Sequence, residues 1–185
     1  MIPSERRWNA AIAEHETVVR EFVAACERCP TSDWNTSPAP GKWSSAAVAL
    51  HVCHAYELGQ NAMRGGPGMR LRVSKPYAWF LRNLLLPLIV ATKRFPRGAR
   101  APREVVPDLE EARMLTPAAA AARLTRVADE AAAAFRQARG NRSAPSVTHA
   151  YFGALTPYVA LRMLSAHTRH HARTILERPG ADGTI

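Results

Sequence analysis

The chain has no apolar run long enough to cross a bilayer. The longest, residues 84–91, is eight residues and contains Pro87, against about 20 for a spanning helix. No basic-plus-apolar leader opens it, and residues 1–7 pass straight into an amphipathic pattern, so a cytoplasmic setting is expected. In that setting the acceptor triplets Asn35-Thr36-Ser37 and Asn141-Arg142-Ser143 carry no meaning. Cysteine is scarce and odd in number: Cys26, Cys29 and Cys53 cannot build a disulfide framework. Cys26 and Cys29 form a CxxC, but there is no second pair for a zinc ribbon and no βαβ setting for a redox motif. They read as small, semi-buried side chains. Convincing strand alternation is missing as well, and so is any internal repeat.

Acidic residues are absent from one long stretch. Residues 58–103 hold ten Lys and Arg (Arg64, Arg70, Arg72, Lys75, Arg82, Lys93, Arg94, Arg97, Arg100 and Arg103) and no Asp or Glu. The rest of the chain is balanced, so the whole net charge of +10 sits in this one segment. That makes it a local electrostatic feature. It reads as a solvated surface, or as an attractor for an anionic substrate, an acidic lipid surface or nucleic acid. No nucleic-acid motif accompanies it, and Tyr77, Trp79, Phe80 and Phe95 look like packing for a short helix. Residues 79–88 also fit a membrane-facing patch flanked by Lys and Arg.

What is present is helical periodicity. With 185 residues, 47% of them hydrophobic and 22% charged, the expectation is one soluble globular domain over 1–185. Segment 4–29 carries Trp8, Ala11, Ile12, His15, Val18, Val19, Phe22, Val23 and Cys26 at three-and-four spacing, with Ser4 as cap and Pro30 as stop. Residues 31–42 read as an ordered loop. Segment 44–63 puts Val48, His51, Val52, Ala55, Leu58 and Ala62 on one face and ends at Gly65-Gly66-Pro67-Gly68. Residues 77–91 suit one or two short helices interrupted at Pro87, and residues 95–107 should be irregular. Segment 117–139 has Thr116 as cap, Pro117 at the first helical position and Gly140 as its close. Segment 157–178 begins with Thr156-Pro157 and stops at Pro179-Gly180. The expected fold is all-α, a four-helix bundle with a long, basic, partly helical insertion between its second and third long helices. That long connection favours a crossover.

His167 and His171 are four apart on the apolar face of the last segment, displaced by about 6 Å along the axis. Such a pair can converge on one ion. His51 lies on an inward stripe of a different helix, and bundle cores build metal sites from facing helices. The bland alternative is that all three are hydrogen-bonded core residues. His170 sits about 100° around the helix from His171, nearer the flank. His54, three residues from His51, is a candidate to line a site.

Three motifs point to a family. Pro40-Gly41-Lys42-Trp43-Ser44 followed by Val48 and His51, residues 166–173 with His167, His170, His171 and Arg173, and residues 149–156 with His149, Phe152, Gly153, Leu155 and Thr156 occur in order. Together they resemble the DinB/YfiT-like superfamily over about residues 34–176. The resemblance implies a four-helix bundle, a homodimer, and a divalent metal held by one histidine of the second long helix and two of the fourth. By position those are His51, His167 and His171. The glutamate common in the first motif is Ala47 here, and the glutamine that often follows the last arginine is Thr174. Neither is a metal ligand in the family pattern.

Three imidazoles leave a coordination position open, as catalytic sites do, and suit zinc, nickel or iron. Two enzyme readings follow: metal-dependent hydrolysis, or transfer of a low-molecular-weight thiol to a small electrophile, an activity assigned to some members of the superfamily. An anionic substrate or thiol could be held by the basic segment. No clear general base stands out, because Glu57 is six positions beyond His51. The competing class is a non-catalytic, metal-stabilised bundle that binds a partner through its basic segment.

Overall fold

The computed structural model describes residues 3–96, 100–141 and 143–177. Arg97 of the basic stretch and the Pro179-Gly180 stop lie outside the described residues.

Four long helices carry the fold. Helix α1 spans Glu5–Arg28, and the Ser4 hydroxyl accepts the Arg7 N–H at its start. It ends where Cys29 turns extended ahead of Pro30. Within the following connection, expected to be a plain loop, Thr31–Trp34 form a single turn, α2. The Trp34 indole N–H pins that turn to the Leu115 carbonyl at 2.5 Å. Helix α3 spans Ser45–Met63, capped by Ser44 through the Ala47 N–H, and most of its residues are buried. The long connection contains α4 (Lys75–Phe80), a π-helical turn (Leu81–Leu85), α5 (Leu86–Thr92), a 3-10 turn (Arg103–Val105) and α6 (Leu109–Met114). Helix α7 spans Pro117–Gln137 and α8 spans Pro157–Leu176.

Both α7 and α8 start with Thr-Pro, but only one threonine caps. Thr116 Oγ1 accepts the Ala119 N–H at 3.1 Å, whereas the Thr156 hydroxyl makes no capping bond. An N-cap hydrogen bond is worth about 1 kcal/mol. Thr116→Ala is therefore expected to lower stability by about that amount, and Thr156→Ala by less, in urea unfolding of the two variants side by side.

Each of α1 and α3 packs on both α7 and α8. The successive pairs α1/α3 and α7/α8 thus lie across the diagonals, and the core fills the space between. The long connection joins neighbours, α3 and α7. The diagonal steps are made by the two shorter connections, contrary to the expectation that the long one crosses over.

The insertion departs from expectation at Pro87. Helical backbone runs from residue 75 to 92 without a break. The turn ahead of the proline widens, with the Leu86 N–H reaching back five residues to the Leu81 carbonyl. Pro87 then falls in the first turn of α5, where its missing N–H costs nothing.

A hairpin, not foreseen, precedes α8. Its strands are β1 (Val147–His149) and β2 (Gly153–Leu155), paired Val147 to Leu155, Thr148 to Ala154 and His149 to Gly153. Residues 69–72 run beside it, with Met69 and Arg72 N–H groups donating to the Thr148 and Ala150 carbonyls. Gly68 permits that approach: a Cβ there would sit 3.0 Å from the Thr148 backbone. No helix among the described residues is long and apolar enough to cross a membrane.

One polar residue in the core stands apart. His15 of α1 is 1% exposed, with its ring 5.6 Å from that of Tyr56, and neither ring nitrogen has a hydrogen-bond partner among the described residues. Burial, with the Arg136 charge adding, pushes its pKa down to about 4. By contrast Tyr56 is satisfied, its hydroxyl 3.1 Å from the Thr168 hydroxyl.

Candidate metal centre

The packing of α3 against α8 brings the three predicted histidines together. His51 Nε2 lies 3.0 Å from His167 Nε2, which lies 3.1 Å from His171 Nε2. Their ring centroids are 4.5–5.0 Å apart. His51 is buried, while His167 and His171 are half-buried. Among the described residues this is the one group of His, Cys, Asp and Glu whose ligand atoms could share an ion.

Proton counting bears on what this cluster could hold. His51 Nδ1 lies 2.7 Å from the Val105 carbonyl oxygen. A carbonyl only accepts, so Nδ1 carries the proton and Nε2 of the neutral ring presents its lone pair to the cluster. If His167 Nε2 carries a proton, that one hydrogen faces two acceptors; if it does not, lone pairs converge on one another. A cation at the convergence point resolves the conflict. A ligating imidazole that donates its other N–H to a carbonyl is a standard metal-site arrangement. His171 Nδ1, by contrast, is buried without a hydrogen-bond partner among the described residues.

Electrostatics agree with neutral ligands. Burial pushes His167 well below its ordinary pKa, and neighbouring His171, His51, His170 and His149 push the same way. His171 is lowered chiefly by burial, then by His51 and His170. Burial lowers His51 too, opposed by the Val105 hydrogen bond and reinforced by His54. Protonation of any of them would set a second positive charge against a bound cation.

The walls of the site are aromatic. The Trp43 ring centroid is 5.0 Å from that of His51, and the Phe95 ring is 5.7 Å from His167 and 5.3 Å from His170. His170 itself stands 5.0 Å from His171, on the flank. His54 is half-buried on α3 and makes no ring contact with the triad among the described residues. Three features lay outside the sequence reading of the site. The Val105 carbonyl had no side-chain signature to find. Phe95 read as helix packing, yet closes over His167. His149, in the hairpin, was visible only as part of a motif; its Nδ1 accepts the Tyr151 N–H, and burial pushes its pKa down to about 4. The broader surface grooves, such as one lined by Val23, Glu27, Pro117 and Ala121 between α1 and α7, lie away from this cluster.

These features define a helical bundle with a possible three-histidine metal centre between its second and fourth long helices. The chain belongs to the DinB superfamily, whose family model matches residues 14–175. No curated protein and no solved structure matches it.

Proposed function

We propose that His51, His167 and His171 would hold a divalent ion, zinc, nickel or iron, through their Nε2 atoms, and that the protein transfers a low-molecular-weight thiol to a small electrophile. The observation that carries this reading is the convergence of the three Nε2 atoms, with the His51 proton held outward by Val105. A divalent ion there supplies Lewis acidity, lowering the pKa of a thiol or water that takes the open position.

The chain's own residues favour the thiol over water. Three neutral imidazoles bring no negative charge, so a centre held by them would retain the ion's double charge and would attract an anion. No Asp or Glu among the described residues figures in the electrostatics of His51, His167 or His171. An ion could ionise its bound water without one, but hydrolysis would still want such a carboxylate to relay protons to the leaving group. A thiol, with an ordinary pKa of about 8.5, gives up its proton without one. Trp43 and Phe95 stand against His51 and His167 as apolar walls of the site. A homodimer is part of this reading, on the strength of the family pattern.

The test is thiol consumption by the metal-loaded protein with a nitroaryl halide as electrophile. A metal-dependent rate is expected, falling to background in His171→Ala. Thiol-independent cleavage of an activated ester would instead establish a hydrolase. Full metal occupancy with neither activity would leave the ion a binding or stabilising role and overturn the enzyme reading.

A further inference from the structure

The α4–α5 stretch packs one side on the molecule and leaves the other open. Ala78, Leu86, Ile89 and Val90 are buried. Arg82 Nη1 donates to the Ala154 carbonyl at 2.8 Å, and Lys93 Nζ lies 2.5 Å from Glu14, so the stretch is anchored along its length. On the open side Tyr77, Trp79, Phe80, Leu84 and Leu88 are 53, 60, 47, 60 and 57% exposed. Phe80, Leu84 and Leu88 follow one another at four-residue spacing along the helix. The Tyr77 and Phe80 rings stack at 6.2 Å. A contiguous apolar face of this kind marks an interaction surface.

Charge decides what covers it. Residues 58–103 contain no acidic residue. Lys75, Arg82 and Arg94, spread along the same stretch, form no ion pair with a carboxylate among the described residues. A second copy of the chain meeting this face about a two-fold axis would set like charges against each other. Nucleic acid would answer the cations but give the exposed leucines nothing to bury against. A bilayer rich in anionic lipid answers both. Trp and Tyr rings settle at the headgroup level, aliphatic side chains enter the acyl boundary, and Lys and Arg reach the phosphates.

We propose that the α4–α5 face docks the protein on an anionic bilayer surface, with Trp79, Phe80, Leu84 and Leu88 in the interface and Lys75 and Arg94 on the headgroups. The proposal does not rest on the metal centre. Phe95, three residues beyond α5, packs on His167, so docking would bring that site close to the membrane.

The experiment is sedimentation of the full chain with vesicles of phosphatidylcholine alone and of phosphatidylcholine mixed with phosphatidylglycerol. Binding to the mixed vesicles only is expected, weakening as salt rises. Trp79→Ser/Leu84→Ser/Leu88→Ser and, separately, Lys75→Glu/Arg94→Glu should each weaken it by about tenfold or more. Brominated phosphatidylcholine in the mixed vesicles should quench the tryptophan emission of the wild type and not that of Trp79→Phe, a conservative change that keeps the fold. The proposal is overturned by absence of vesicle binding, by serine substitutions that leave binding intact, by equal quenching in Trp79→Phe, or by DNA binding without vesicle binding. It is equally overturned if the wild type is a dimer that the serine variant converts to a monomer.

Discussion

Replacement of His167 by alanine is expected to abolish metal binding at the proposed centre. Its Nε2 is the middle atom of the cluster, 3.0 and 3.1 Å from the other two. Without it, two imidazoles on facing helices remain, too few for a catalytic three-ligand site. Protein purified without chelator should fall from about one equivalent of metal per chain to less than about a tenth. Metal added at about a thousand times its dissociation constant stabilises a folded chain by about 4 kcal/mol. For a protein of this size that is a rise in melting temperature on the order of 10 °C. The rise should appear in the wild type and vanish in His167→Ala, while helical circular dichroism of the metal-free forms stays alike. Unchanged metal content in the variant would remove His167 from the ligand set.

Acid is expected to weaken the fold through His15, independently of the metal. Its folded pKa of about 4 lies below the value of 6.5 for an exposed histidine. The unfolded chain therefore binds the extra proton first, and stability falls as pH drops from about 6.5 towards 4. The contribution is fully present above about pH 7. Between pH 7.5 and 5 the loss amounts to about 2 kcal/mol from this one residue. His15→Leu removes both unpartnered ring nitrogens and the proton they would take up. Urea unfolding at the two pH values should show the variant gaining about 2 kcal/mol on the wild type at pH 5 relative to pH 7.5. The triad titrates in both proteins, so its share cancels from the comparison. Equal pH dependence in the two would show that His15 is not the group responsible.

The long helices were legible because each repeats its apolar spacing over five or more turns and carries a polar or proline start. The hairpin was not, since two strands of three residues are too short to alternate and His149 faces a glycine of positive φ. Pro87 misled for a physical reason: a proline signals a break only when the backbone before it keeps α-helical pitch, and here a widened turn absorbs it. In the candidate centre, His167 and His171 were readable from their spacing alone. His51 needed the family pattern, because nothing in α3 distinguishes one inward histidine from another. The Val105 carbonyl could not be read at all. It is a backbone atom, 54 residues from the ring it holds, and any residue type would have offered it.

That carbonyl also divides ownership of the centre. The bundle supplies the three rings, but the tautomer of His51 is written by the 3-10 turn of the insertion, a segment held by short elements and loops. Releasing a loop that long returns chain entropy, against which stand buried Val105 and Ala112, so the insertion loosens locally while the bundle stays intact. When it does, His51 loses its instruction about which nitrogen to present, and the ring is free to turn its proton towards the cluster. An ion held by these rings would thus draw part of its affinity from the docking of a distant strip of chain, and would in turn hold that strip down.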